Sequence, residues 1–277
     1  MSDEAQGRPR RFPLPLDKLG GAKAGATREL LMPQRHLREA AADAARQAAP
    51  SGLGLDSAQV RQRMVQRLRR EGLADERVLQ ALATVPRHEF VDSALAIQAY
   101  EDTSLPIGHG QTISKPSVVG RMIAMLFGGA TASRQGQLGR VLEIGTGCGY
   151  QAAVLALLAK QVVSIERLKP LHDKARQNLA QRRHHHVRLI YGDGRLGHAP
   201  AAPFDSIIAA AGGEDIPAAW LAQLAPGGRL AAPMAAAGGR GQVLVVIDHQ
   251  LDAGGASRFV RSEHEAVLFV PLKSGVM

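Results

Sequence analysis

Val141 to Tyr150 reads VLEIGTGCGY. Aliphatic Val141, Leu142 and Ile144 run straight into glycines at alternate positions, Gly145, Gly147 and Gly149, and YQAAVLALLA follows. The pattern predicts a buried strand, a tight turn and a helix. Glycines there leave no side chain where a ligand approaches the backbone. The spacing is G-x-G-x-G, whereas a dinucleotide site has G-x-G-x-x-G. Glu143 also places a carboxylate near the end of the strand. A pyrophosphate favours an open helix N-terminus without a neighbouring carboxylate, so the segment argues against a diphosphate.

Moving outward toward the C-terminus, QVVSIER is the next strand and ends at Glu166, with Arg167 beside it. In Rossmann-like folds an acidic residue about 20 positions beyond the glycine turn accepts hydrogen bonds from ribose hydroxyls. VRLIYGD follows, and its end, Gly192-Asp193-Gly194, offers a carboxylate suited to an adenine amino group. Glu143, Gly145, Thr146, Gly147, Glu166, Arg167, Gly192, Asp193 and Gly194 are therefore the candidate cofactor-binding residues. Each feature alone has an ordinary reading as a tight connection, a solvated charge or a turn residue. In this order, at the carboxyl ends of neighbouring strands, they point to one nucleoside-bearing ligand. S-adenosylmethionine, with an amino-acid end, a sulfonium cation and no phosphate, suits them better than NAD.

The rest of the second half alternates in the same way. LHDKARQNLAQR is a helix, FDSIIAAA a strand and IPAAWLAQLA a helix, and GRLAAPM and QVLVVIDH are strands. Short apolar runs between helices predict an α/β fold: a mostly parallel central sheet with helices on both faces. The last strands lack an intervening helix and predict an antiparallel edge. Before the sheet, Val60, Met64 and Leu68 recur at helical spacing, with Gly72 at a C-terminal cap. Asp75 caps a second helix that Pro86 closes, and Ser114 stands before KPSVVGRMIAMLF as a helix start. Residues 1–56 mix Pro, Gly and basic residues and are expected to form a mobile or partly helical extension, with a helical patch over Arg28 to Gln47. Residues 57–277 are expected to form the folded domain.

Composition narrows the setting. The chain has 277 residues, a formal charge of +9 and one cysteine, Cys148, so no internal disulfide can form. No secretory apolar run and no membrane-length apolar stretch stands out. A cytoplasmic protein without membrane contact is expected. The basic balance favours anionic surfaces in general, but no nucleic-acid recognition signature accompanies it, so no specific nucleic acid is expected.

From about Gln59 to Lys273 the sequence resembles the protein-L-isoaspartate O-methyltransferases. The matching segments include VPRHEFVD (Val85 to Asp92), LPIGHGQTISKP (Leu105 to Pro116), VLEIGTGCGYQAAVLA, YGDGRLG, APFDSIIAAA, LAPGGRLAAPM and EAVLFVPL. QTIS joined to EIGTGCGYQ carries the specificity, since other methyltransferases share only the cofactor part. The first fifty-odd residues lie outside the resemblance. It implies a Rossmann-like methyltransferase fold with extra N-terminal helices, and S-adenosylmethionine as cofactor. It also implies methyl transfer to the free carboxylate of L-isoaspartyl residues in damaged proteins and peptides, a repair reaction, with the chain expected to act as a monomer. Ser114 matches the family's active-site serine; it reads as a hydrogen-bond donor to the substrate carboxylate, with helix N-cap as its ordinary role. Gln111 and Thr112 would shape the same loop near the cofactor.

Four places depart from the family pattern or invite other readings. His109 stands where a Gln or other polar residue is common. AAAGGE (Ala209 to Glu214) replaces a stretch that often holds Thr and Pro. Cys148 often corresponds to Ser. The run His184 to His186 has metal-site composition, but three adjacent residues cannot face one ion from a helix, so no metal is expected. Two rival functions remain: a methyltransferase of this fold acting on RNA or a small molecule, and a weakly active binding module with a basic arm. The first lacks the Pro-Pro-aromatic signature of a nucleobase-amine methyltransferase after FDSII.

Overall fold

The computed structural model describes residues 58–180, 185–238 and 241–277. The helical patch over Arg28 to Gln47 and the linker that follows it lie outside these residues. Helix α1 spans Ala58–Arg70 and buries Met64, Val65 and Leu68. Gly72 follows with φ +97°, a conformation that favours glycine after a helix. Helix α2, Glu76–Thr84, starts where expected: the Asp75 side chain accepts from the backbone of Arg77 and Val78. Two 3-10 turns, Arg87–Phe90 and Ser93–Gln98, lead to a hairpin of β1 (Leu105–Gly108) and β2 (Gln111–Ile113). Helices α3 (Pro116–Leu126) and α4 (Ala130–Gln135) follow.

The sheet then begins with β3, Arg140–Ile144, and alternates with helices: α5 (Tyr150–Ala156), β4 (Gln161–Glu166), α6 (Lys169–Ala180), β5 (Val187–Tyr191), β6 (Phe204–Ala209), α7 (Ala218–Gln223) and β7 (Leu224–Ala235). Strands β8 (Gln242–Leu251) and β9 (Ser257–Val267) complete seven strands in the order β5-β4-β3-β6-β7-β8-β9. The first five are parallel. β7, β8 and β9 pair antiparallel, so the parallel sheet and its antiparallel edge are as the sequence predicts. Strand order reverses between β3 and β6, which opens a crevice at their carboxyl ends where such folds bind ligands.

Both faces of the sheet are covered. Val141, Val162, Ile208 and Ala231 point into one apolar cluster with α1, α2, α3 and α5. Leu142, Ile144, Val163, Ile165, Ile207 and Leu230 point into the other, with Trp220 from α7. This alternation of neighbouring residues is the period-two pleat of a strand. It also sets Glu143 on the Val141 face, beneath the glycine turn.

Candidate active site

The turn after β3 is built on three left-handed backbones: Gly145 at φ +89°, Gly147 at +57° and Gly149 at +91°. Any side chain would strain these positions, and a Cβ on Gly147 would come within 3.1 Å of Ile107 Cδ1. The turn is tied to β4. Gly145 and Thr146 N–H groups donate to the Ile165 carbonyl at 2.9 and 3.2 Å. The Glu166 carboxylate accepts from Gly147 N at 2.8 Å and from Leu168 N at 2.9 Å. Glu166 thus joins the β3 turn to the start of α6. It keeps further lone pairs for a ligand, because an ionised carboxylate accepts about four bonds.

Below the turn, Glu143 is fully buried. Its register partner on β4 is Ser164, whose hydroxyl donates to Glu143 Oε2 and lies 2.5 Å from Thr146 Oγ1. Among the described residues Glu143 Oε1 and the buried Gln151 Nε2 have no other partner, and the Gln151 amide lies near the Glu143 carboxyl. Burial pushes the Glu143 carboxyl up to about 8, against the pull of Ser164 and of nearby Gln151 toward the ionised form. Buried polar groups are almost always paired, and here the Gln151 amide and the Glu143 carboxyl are placed to serve each other beneath the turn.

Ser114 follows β2 directly. The capping position of α3 is Lys115, and no side chain caps there. Ser114 is therefore not the N-cap that its position before KPSVV suggests, because the helix begins at Pro116, one residue too late. The helix start is held instead by Asp102, whose carboxylate accepts from Ser117 N at 2.8 Å and from Ser117 Oγ at 2.7 Å. Ser114 makes no hydrogen bond among the described residues. In the hairpin turn before it, His109 adopts φ +54° between Gly108 and Gly110, both also left-handed. This strained backbone turns β1 into β2, and Gln111, Thr112 and Ser114 line the same cavity as the glycine turn.

At the third strand end the side chain of Asp193 is engaged within the protein. Gly192 N–H bonds to the Glu166 carbonyl at 3.0 Å. Asp193 accepts from Arg195 N at 2.9 Å and from Gly275 N at 2.6 Å. Gly194 is held from beneath by Trp220, whose Nε1 donates to the Gly194 carbonyl at 2.8 Å. The partner of Asp193 thus comes from the last residues of the sequence. The Arg167 guanidinium turns the same way, to the carbonyls of Gly275 at 2.9 Å and Ser274 at 3.4 Å.

Gln111, Thr112, Ser114, Gly145, Thr146, Gly147, Glu166, Arg167 and Gly194 all line one cavity of about 470 Å³. Glu143, Gly192 and Asp193 do not line it. The cavity also takes in residues that sequence reasoning did not single out: Ile107, Gln151, Leu171, Ala210, and the segment Val270–Lys273 with Met277. EAVLFVPL covers Val270 to Leu272 of that segment, but nothing in it says that it returns to the glycine turn. Tyr150, also in the cavity wall, is pushed up to about 12 by burial, against the pull of Arg87, whose guanidinium lies 4.9 Å over its ring. Cys148 lines the cavity as a buried thiol, raised by burial. His184 lies outside the described residues, and His186 Nε2 bonds to the Ala156 carbonyl at 2.8 Å.

An amino-acid-bearing, nucleoside-sized ligand fits these walls. The volume lies within the usual range for small-molecule sites. The glycine turn permits close approach, and Gln151 and Glu166 bring polar side chains to the wall, with the buried Glu143 next to Gln151.

Comparison with known proteins gives the family. The family model described as protein-L-isoaspartate(D-aspartate) O-methyltransferase matches residues 58–277. A protein-L-isoaspartate O-methyltransferase from Methylibium petroleiphilum is 62% identical over 265 residues, covering 96% of both chains. One from Leptothrix cholodnii is 57% identical over 286 residues, covering 99% of this chain and 98% of the relative. That coverage reaches into the first fifty-odd residues, so the similarity is wider than the segments from Gln59 to Lys273. A solved protein-L-isoaspartate O-methyltransferase superposes with a TM-score of 0.67 at 26% identity, over 78% of this chain and 67% of that one. A Plasmodium falciparum structure assigned to the same activity, and solved with S-adenosyl-L-homocysteine, has the same fold at 22% identity and a TM-score of 0.65, over 77% of this chain and 98% of that one. The fold is thus the Rossmann-like methyltransferase fold, and the chain belongs to the protein-L-isoaspartate(D-aspartate) O-methyltransferase family.

Proposed function

We propose that this protein moves a methyl group from S-adenosylmethionine to the free carboxylate of L-isoaspartyl residues in damaged proteins and peptides. The observation that carries the reading is a convergence: Gln111–Ser114 and Gly145–Gly147 wall one cavity, with the Ser114 hydroxyl unengaged. A donor is thereby available beside the site of an electrophilic ligand. Gly145, Thr146, Gly147, Glu166, Arg167 and Gly194 would hold the cofactor with Gln111 and Thr112, and Glu143, Gly192 and Asp193 would support them from behind.

When bound, the cofactor supplies a reactive methyl group on a sulfonium. The protein's own work is alignment. Ser114 donates to one oxygen of the substrate carboxylate and turns the other toward the methyl carbon, a proximity effect. The carboxylate is already ionised at neutral pH, so no general base is needed. Apolar Ile107 and Leu171 in the cavity wall keep water from competing. The resemblance implies that the ester then closes to a succinimide, which reopens partly as normal aspartate.

We read residues 57–277 as the methyltransferase domain and the chain as a monomer of the cytoplasm, where a lone buried thiol remains reduced. No helix among the described residues is long and apolar enough to cross a membrane. The test is a pair of peptides that differ only in isoaspartyl or aspartyl linkage, assayed for transfer of labelled methyl. Labelling of the isoaspartyl peptide alone is expected; equal labelling, or none with cofactor bound, would falsify the reading.

A further inference from the structure

The chain leaves β9 and runs across the carboxyl ends of the parallel strands. It is first pinned at the β6 end, where Gly212 N donates to the Val270 carbonyl at 2.8 Å and Leu272 N donates to the Gly212 carbonyl at 2.7 Å. Val270–Lys273 and Met277 line the cavity, and the segment is pinned again at the ends of β4 and β5. There Met277 N donates to the Arg167 carbonyl and Lys169 N to the Met277 carbonyl, both at 2.8 Å. Gly275 N donates to Asp193 at 2.6 Å, and the Arg167 side chain donates to the carbonyls of Gly275 and Ser274.

The second anchorage differs in kind from a packed element. Val276 is 50% exposed and Met277 70%, so hydrogen bonds at the surface hold these residues with little apolar burial. Segments of that sort open at low free-energy cost. Met277 nevertheless lines the cavity beside Arg167, on the side where the reading above seats the nucleoside.

We propose that Ser274–Met277 is a strap latched by Asp193 and Arg167 across the cofactor cavity, and that its unlatching gates entry and exit of the cofactor. Asp193 is then a positioning residue acting through the strap. The inference rests on the S-adenosylmethionine reading of the cavity.

The probe is S-adenosylhomocysteine, followed by stopped-flow binding to the full chain, to a chain lacking residues 274–277, and to Asp193→Asn. A gate slows passage in both directions. Removing the strap is expected to raise association and dissociation rate constants together, each by at least about tenfold, since the Gly275–Asp193 bond alone is worth that much among the bonds lost. Asp193→Asn should move both in the same direction with an unchanged Tm. A rise in dissociation alone would make the strap a plain wall contact, and a rise in association alone would make it a competitor; either result, or no change, overturns the gate. If the shortened chain fails to fold, Asp193→Asn decides, aided by amide exchange at Gly275 and Met277. Faster exchange there, with both rates raised, supports the latch, and unchanged exchange overturns it. Failure of every form to bind the probe would instead remove the cofactor reading on which the gate depends.

Discussion

Ser114 stands one residue ahead of the capping position of α3 and makes no hydrogen bond among the described residues, so its substitution separates chemistry from folding. Ser114→Ala should leave Tm and cofactor affinity nearly unchanged. It should lower kcat by roughly tenfold to a hundredfold, the worth of a hydrogen bond to a charged group. Denaturation and cofactor titration run beside the methylation assay check all three. Glu143 makes a different prediction. Its folded carboxyl sits at about 8 instead of 4.5, so between those values the folded protein holds a proton that the unfolded chain has lost. Its contribution to stability therefore falls as pH rises through that window. A cation arriving above it favours the anion, so cofactor binding near pH 7 should release a proton. Calorimetry in buffers of different ionisation enthalpy would register that proton, and Glu143→Gln should abolish it. The sequence shows that Glu143 is present and acidic. It cannot show that Ser164 is its register partner, because that depends on how two strands align.

At the level of elements, legibility followed apolar periodicity. β3, β4 and β6 are continuous buried runs, and α1 and α2 carry clean amphipathic spacing, so their sequences announce them. β9 went unread. SRFVRSEHEAV is charged on both faces and almost wholly exposed, so no burial pattern marks it. Its charges blunt an edge that could otherwise pair with another chain. The β1–β2 hairpin was read as a loop because its strands are four and three residues long and turn at Gly108-His109-Gly110. The cap of α3 is likewise invisible locally, since Asp102 reaches it from 15 positions away. Asp102→Ala should cost about 1 kcal/mol in chemical denaturation, the usual worth of an N-terminal cap. It should also raise KM for an isoaspartyl peptide, because Ser114 loses the fixed helix start behind it.

For the molecule as a whole, charge separates the rival readings. Residues 1–56 hold nine Lys and Arg against seven Asp and Glu, so most of the +9 surplus lies in the residues that follow. A polyanion-binding arm is a poor description of such a segment. Removing residues 1–56 should leave methyl transfer to an isoaspartyl peptide within about twofold and change polyanion retention little, because retention follows net basic charge. Heparin chromatography beside the methylation assay checks both. The arm's similarity to relatives was not legible, because a stretch without periodicity offers nothing to match without a second sequence. One bond pair links the far side of the sheet to the reaction. The side-chain amide of Gln242, at the start of β8, accepts from Phe269 N at 2.8 Å and donates to the Phe269 carbonyl at 3.4 Å, just before Val270 enters the cavity wall. The hairpin margin is therefore the hinge-post of the active-site roof, and damage at that remote border would surface as faulty catalysis before it surfaced as unfolding.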